Sequence, residues 1–378
     1  MKKTEALKHR ISELNEFIDY LKKIPDIRKD WRLSHSLIEV LFIVFCSQIN
    51  GFESFTEYEI YGKSKLKFLR RFLPYKNGCP SRVTFHRVLA TLSPKTLEEL
   101  LTSWTQIIIN QEKPDVIAID GKTHCGSRGM DEKTHLVGAF ATTKGIMIGQ
   151  EKVANKSNEI TAIPLLLDKL YLENQVVTID AMGCQKVITD KIVEKKAHYV
   201  LALKENHKTF YNEVALYFSD SENKVSTSET LEKARGRVET RRCSVTSDIE
   251  WFHEKEQWKN LKTIVKLEST CHKKGRETTE IRYFITDLPA DAAYILTCIR
   301  AHWGIENNLH WILDVIFRED DRLLWNDNVI QNEAIIRRCA LNVIRNYKTR
   351  HNNDTAIKTI RKLLIGDDDE MEKVLREF

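Results

Sequence analysis

The chain has 378 residues, 42% of them hydrophobic and 30% charged, and carries a net charge of +5. That length suits about two or three domains, and the composition is that of a soluble globular protein. The longest apolar run near the N-terminus, 40–46, falls far short of the roughly 20 residues of a membrane span. The first 30 residues lack the apolar core of a signal peptide, and eight cysteines without a C-x-x-C pair exclude a disulfide framework or a zinc ribbon and point to a reducing, cytoplasmic setting.

Residues 1–112 read as helical. Ile11, Leu14, Ile18 and Leu21 mark an amphipathic stretch that Pro25 breaks. The run 37–49 (LIEVLFIVFCSQI) predicts a buried helix ended by Gly51, and shorter helices are expected over 55–61 and 65–73. After a loop at 74–80, Ser81 begins a helix carrying Val83, His86, Arg87 and Leu89. Ser93-Pro94 starts another, with Ser93 as N-cap and Pro94 at the first helical position. Residues 63–71 (KSKLKFLRR) hold five basic side chains and no acid. Such a block either follows a phosphate backbone or lines a solvated helix face.

Residues 113–207 change character. The run 116–123 (VIAIDGKT) is apolar, short and without polar alternation, as expected of a strand buried on both faces. It delivers Asp120 to a strand end, although Asp-Gly alone also reads as a turn. A second run, 176–180 (VVTID), likewise ends on Asp180, 60 residues later. Between them, 135–143 and 146–154 read as strands around a Lys144-Gly145 turn, and 160–172 has helical spacing. A helix over 185–196 and a strand over 199–204 follow. Strand, strand, strand, helix, strand, helix, strand is the order of a ribonuclease-H-like α/β core with a mixed sheet. Its first and fourth strands are neighbours, which sets Asp120 beside Asp180.

Residues 208–290 interrupt that core. A helix over 210–218 precedes alternating stretches at 231–248, 261–271 and 278–286, expected as a small β-rich insertion too long to be a loop. Residues 291–378 resume the core. The stretch 292–318 predicts one long helix in which His302, Glu306 and His310 share a face at i, i+4 and i+8, with Asp314 extending the row. An amphipathic helix follows at 332–345, within a stretch, 337–362, that holds eight Lys or Arg against one acid, Asp354. The acidic run 367–370 reads as a solvated tail.

Two adjacent carboxylates repel unless a cation lies between them or one is protonated. Hard divalent cations take oxygen ligands, and Mg²⁺ is held by one or two carboxylates plus phosphate oxygens. Two such ions, about 4 Å apart, activate a water or 3′-hydroxyl and stabilise the leaving oxygen of a phosphodiester. Glu306 is the candidate for a third carboxylate, with Asp314, Glu319, Asp320 and Asp321 as competitors. A zinc site from His302, Glu306 and His310 is excluded, because the three span about 12 Å of helix.

The motifs AIDGKT (118–123), KSNEITAIP (156–164), TIDAMGCQ (178–185), ALKENH (202–207) and RAHWGIENNLHWILDV (300–315) stand in one order along the chain. Together they resemble the H-repeat-associated, ISAs-type insertion-sequence transposases of bacteria, in the DDE superfamily, and residues 25–41 resemble that group's leader domain. The resemblance implies that Asp120, Asp180 and Glu306 form a catalytic, metal-holding DDE triad with two Mg²⁺ or Mn²⁺ ions. It implies cleavage and strand transfer of DNA, a helical N-terminal domain that reads DNA ends, and homo-oligomers assembled on transposon ends and target DNA, in the cytoplasm at the nucleoid. Arg82, His86 and Arg87 are the contact candidates in the helical domain, Lys204 near the metals, and Arg235, Arg237, Arg241 and Arg242 along the insertion; each also reads as an ordinary surface cation. His302 and His310 are expected to support the acids. Two departures stand out: Ile299, His302 and Leu313 occupy the Tyr, Arg and Lys places of a signature found in related families, and Arg235 replaces a His. The alternatives are a transposase-derived DNA-binding protein without catalysis and a ribonuclease-H-like nuclease acting on another substrate.

Overall fold

The computed structural model describes residues 18–19, 21–26, 28, 33–109, 114–124, 133–154, 157–234, 236–321 and 324–377. Ile11 and Leu14 of the first amphipathic stretch, and Arg235, lie outside them. The helical part comprises α1 (Leu37–Ile49), α2 (Phe55–Ser64), α3 (Leu66–Leu69), α4 (Arg82–Thr91) and α5 (Pro94–Ile109). Local chemistry sets their starts. Ser36 with Glu39 and Ser54 with Glu57 form reciprocal capping boxes on α1 and α2, each satisfying two otherwise orphaned N–H groups. Gly51, at φ +87°, turns the chain after α1, a conformation that glycine adopts without a Cβ penalty.

The core follows as β1 (Val116–Thr123), β2 (His135–Ala141), β3 (Ile146–Lys152), α6 (Glu159–Lys169), β4 (Val176–Ile179), α7 (Lys186–Glu194), β5 (His198–Leu203) and α8 (Lys208–Ser219). Strand order is β3-β2-β1-β4-β5, with β1, β4 and β5 parallel and β2 antiparallel to both neighbours. This is the ribonuclease-H-like core expected from the element order. The β1–β4 register ends at Ile119↔Ile179, so the next residues, Asp120 and Asp180, leave the parallel pair side by side. β1 itself runs on to Thr123 against β2; Asp120-Gly121 is therefore strand and not a turn.

Residues 208–290 supply four strands, β6 (Ser226–Ala234), β7 (Arg237–Thr246), β8 (Thr263–Lys273) and β9 (Arg276–Thr286). The expected single strand over 231–248 is a hairpin that turns through Gly236, at φ +72°. These strands continue the core sheet, since β9 pairs antiparallel with β5 and the order runs on as β9-β8-β7-β6. Alternation predicted the strands, but nothing local could show that their partner is a core strand.

The expected 292–318 helix is broken. α9 (Ala292–Gly304) passes into a π-helical stretch, Ile305–His310, and then into α10 (Trp311–Val315). The chain ends in α11 (Asp327–Arg350), α12 (Ile357–Gly366) and α13 (Asp368–Arg376). α6, α7 and α8 cover one sheet face through Ile117, Ile119, Val177, Ile179 and Leu201. α9 covers Val116, Val176 and Val200 on the other. Beside it, Ala118, Phe140 and Met147 join the core of the N-terminal helices and α11.

Two charge readings are corrected here. In the basic block 337–362, Arg337, Arg338, Arg345 and Arg361 are at most 8% exposed. Arg337 and Arg338 pair with Glu319, at 3.2 and 2.8 Å, and Arg361 with Glu53 at 2.8 Å. They tie α11 and α12 into the interior instead of facing a phosphate backbone. The acidic run 367–370 caps and opens α13 and receives the other basic block: Lys65 pairs with Asp368 at 2.7 Å, and Arg71 with Asp369 at 2.7 Å and Glu372 at 2.8 Å.

Candidate active site

Strand parity builds the site. On β1, β4 and β5, residues 116, 176 and 200 face α9, so every second residue after them does too. That sequence of positions delivers Asp120, Thr178, Asp180, Ala202 and Lys204 to one side, and from β9 come Arg282 and Phe284. All of them line a cavity of about 240 Å³ whose remaining wall is α9 and the π turn, with Ile299, His302, Trp303 and Glu306. The three acids proposed from sequence thus share one cavity, although 186 residues separate the first from the last.

The π turn sets the third wall. Ile305 and Leu309 are fully buried and anchor the turn, while Glu306 stands exposed at the cavity mouth. Trp303, by contrast, is 46% exposed, and the Arg282 guanidinium lies 4.7 Å from its ring centre. Arg345 donates to the carbonyls of Asn308 and Gly145, holding the π turn to the β2–β3 turn. A π turn shifts the helical phase, yet His302, Glu306 and His310 all still face the Asp120 end of the sheet. His302 reaches Thr178, Nδ1 to Oγ1 at 3.0 Å. His310 points at Asp120, Nε2 to Oδ2 at 3.4 Å, close enough for electrostatic attraction but not aligned as a hydrogen bond.

Electrostatics divides the two aspartates. Burial pushes the Asp120 carboxyl up, but the His310 ring and then His302 more than offset it and hold it below the ordinary range. Burial raises Asp180; the Gly183 N–H opposes this, and the charges of Glu159 and Asp120 add to it, leaving it above the ordinary value. Burial likewise pushes His302 down against the pull of both aspartates. Among the described residues, none of Asp120, Asp180 and Glu306 pairs with a lysine or arginine. Lys122, two residues from Asp120, is turned away to Asp314 and Glu319. Carboxylates without a lysine or arginine partner at a half-buried strand end fit a hard divalent cation. Among the described residues no three His, Cys, Asp or Glu side chains are gathered tightly enough to enclose one ion; the aspartate pair offers the binding edge and Glu306 faces it across the cavity.

The profile of the Transposase DDE domain matches residues 111–343, and that of the DDE_Tnp_1-associated segment matches residues 18–105. This chain belongs to the DDE transposase family. YncI of Escherichia coli O157:H7 is 37% identical over 345 residues, covering 89% of this transposase and 88% of that protein. The H repeat-associated YhhI of Escherichia coli K12 is 35% identical over 352 residues, covering 89% and 92%. Both carry provisional names as transposases, and they bear out the H-repeat-associated grouping that the motifs implied. A cryo-EM structure of a piggyBac transposase synaptic complex with hairpin DNA aligns with TM-score 0.46 at 11% identity, over 97% of this chain and 78% of that one; a likeness that weak adds nothing to the assignment. Membership implies action on DNA and dependence on a divalent metal. No helix among the described residues is long and apolar enough to cross a membrane.

The remaining predicted contacts fall in different settings. Arg82, His86 and Arg87 are exposed on α4, and among the described residues neither arginine side chain has an ion-pair partner. Arg237 is half exposed beside Glu239 at 3.5 Å. Arg241 is held by Glu232 at 2.9 Å and Glu239 at 2.6 Å, so the expected positive edge is interleaved with acids. Sequence reasoning missed Thr178, Arg282 and Glu159. Parity could have found Thr178, two residues before Asp180. Glu159 stands in the quoted KSNEITAIP motif, and its Oε1 would lie 2.1 Å from a Cβ on Gly121, while it pairs with His135 Nε2 at 2.7 Å.

Proposed function

We propose that this transposase cleaves and rejoins phosphodiester bonds at the ends of its own element, with Asp120, Asp180 and Glu306 as the DDE triad. Asp120 and Asp180 would hold Mg²⁺ or Mn²⁺, two ions in all, at the end of the β1–β4 pair, with Glu306 closing from the π turn. Bound there, the ions supply an activated oxygen nucleophile and charge stabilisation at the leaving oxygen. The chain's own groups do the positioning. His310 keeps Asp120 anionic, and Thr178 holds His302 against the cavity wall. Lys122 occupies Asp314, which leaves Glu306 as the acid free to face the pair. Lys204 and Arg282 put positive charge where a phosphodiester enters.

The DNA path runs from Lys204 and Arg282 along Arg237 and Arg241, with Arg235 outside the described residues, and Arg82 and Arg87 on α4 contact the element ends. Arg241 exchanges Glu239 or Glu232 for phosphate when DNA binds. Copies of the chain assemble on transposon ends and target DNA, in the cytoplasm at the nucleoid. The observation that carries this reading is the convergence on one cavity of three carboxylates that have no lysine or arginine partner among the described residues. Asp120→Asn and Asp180→Asn, assayed on DNA carrying the element's ends, are expected to abolish cleavage while end binding persists. Cleavage by either within severalfold of the wild-type rate rejects the triad.

A further inference from the structure

The ALKENH motif does more than end β5 on Lys204. Its last residues lie in a 3-10 turn, Glu205–His207, at the exit of the strand beside β4. Asn206 Nδ2 donates to the Ala181 carbonyl at 2.8 Å, and His207 Nε2 donates to the Cys184 carbonyl at 2.6 Å. Between those two anchored carbonyls lie Met182 and Gly183. Their N–H groups donate to Asp180 Oδ1 at 3.0 and 3.3 Å. The four-residue loop after Asp180 is therefore gripped at both ends and grips the Asp180 carboxylate at its middle. The grip is tight: a Cβ on Gly183 would stand 2.2 Å from Ile179 Cγ2.

We propose that Asn206 and His207 are positioning residues that fix the orientation of the Asp180 carboxylate through the 181–184 loop. Two hydrogen bonds hold one oxygen of Asp180 toward the loop and leave the other to face the cavity. His207 is itself held from behind. Its ring meets the Trp258 ring edge-on at 5.0 Å between centroids, and Trp258 is 2% exposed. Trp258 comes from the segment between β7 and β8, so the inserted strands reach the site by way of His207. An imidazole serves here because it offers a flat edge to the indole and a directional N–H to the carbonyl on the same ring.

The inference rests on Asp180 as a metal-holding carboxylate, and the test separates the two. Mn²⁺ binding to the full-length protein is measured by electron paramagnetic resonance of the free ion, alongside melting temperature and end cleavage. His207→Phe keeps the ring and removes the donor; Asn206→Ala removes a donor from an exposed position and leaves the core intact. Each is expected to weaken Mn²⁺ binding roughly tenfold, the low end for groups that orient a ligand. Raising Mn²⁺ by the same factor restores their cleavage rate. His207→Gln, which keeps a donor of similar reach, is expected to recover most of the affinity. Unchanged Mn²⁺ affinity in His207→Phe and Asn206→Ala, with Asp180→Asn weakened, overturns the positioning role alone. Equal loss in His207→Gln and His207→Phe overturns it too, since the donor then does not matter. Unchanged affinity in Asp180→Asn overturns the metal assignment and the inference with it.

Discussion

Replacing Glu319 with Gln keeps the shape of the side chain and removes its charge. Glu319 is 1% exposed and faces Arg338 at 2.8 Å, Arg337 at 3.2 Å and Lys122 at 3.3 Å. Burial pushes its carboxyl up, but Arg338, Arg337 and Lys122 outweigh burial and hold it well below the ordinary range. Without it Arg338 has no carboxylate partner among the described residues, and Arg337 keeps only Glu333 at 3.8 Å. Removing one member of a buried ion cluster costs about 3–5 kcal/mol, because the remaining charges stay buried and uncompensated. Unfolding entropy near 2.1 cal/mol/K per residue converts that, over this length, into a melting-temperature drop of about 4–6 °C. The sign with pH follows from the depressed carboxyl. Its stabilising contribution is present above the unfolded value, about 4.3, and is lost as pH falls toward the folded one. The gap between wild type and Glu319→Gln therefore narrows below about pH 4. Thermal melts from pH 7 to 3 check both statements. A variant that melts within a degree of wild type at pH 7, or a gap that widens on acidification, refutes the reasoning. Replacing Glu319, Glu333, Arg337 and Arg338 together by methionines is expected to destabilise less than Glu319→Gln alone, since the buried acids and arginines of the cluster leave together.

Glu306→Gln is expected to abolish cleavage and strand transfer on element ends while binding them; Asp314→Asn, which leaves Lys122 with Glu319, retains activity, and the reverse pattern would reassign the third acid. Gly121→Ala puts a methyl 2.1 Å from Glu159 Oε1 and 2.7 Å from His135 Nε2. Breaking that pair and crowding Asp120 is expected to cost about 1–3 kcal/mol in urea unfolding and to slow cleavage; an unchanged unfolding midpoint counts against the contact. Arg82→Ala with Arg87→Ala is expected to weaken binding to all DNA sequences alike and to flatten the slope of log affinity against log salt by about 2. An unchanged slope removes α4 from the DNA path.

The site was legible because strands report their own parity. Two apolar runs ending on Asp120 and Asp180, with the element order between them, were enough to set the acids side by side on one face. What lay beyond local periodicity was not legible. The alternation in 226–286 marks strands, but pairing with β5 is decided across the fold. The apolar spacing over 292–318 fits an unbroken helix, whereas the π turn has Ile305 and Leu309 docked while Arg345, 37 residues beyond Asn308, takes that residue's carbonyl. Composition misled most over charge. Arg337 and Arg338 look like surface cations until Glu319 is seen to fold back on them, and 367–370 looks like a tail until Lys65 and Arg71 meet it.

The pairing of β9 with β5 has a consequence for how this fold tolerates change. The chain leaves the core at Leu203 and returns at Tyr283, directly opposite, so the excursion between them is a closed detour whose length does not enter the distance from Asp180 to Glu306. Its far tips can be lengthened without moving the acids. The β8–β9 hairpin turns through Lys274 and Gly275, both at positive φ, a two-residue primed turn far from the cavity. A fluorescent or affinity module spliced there would ride on the outer sheet as a pendant and report on assembly with DNA. The same splice between Leu203 and Phe210 would pull on the loop that holds Asp180.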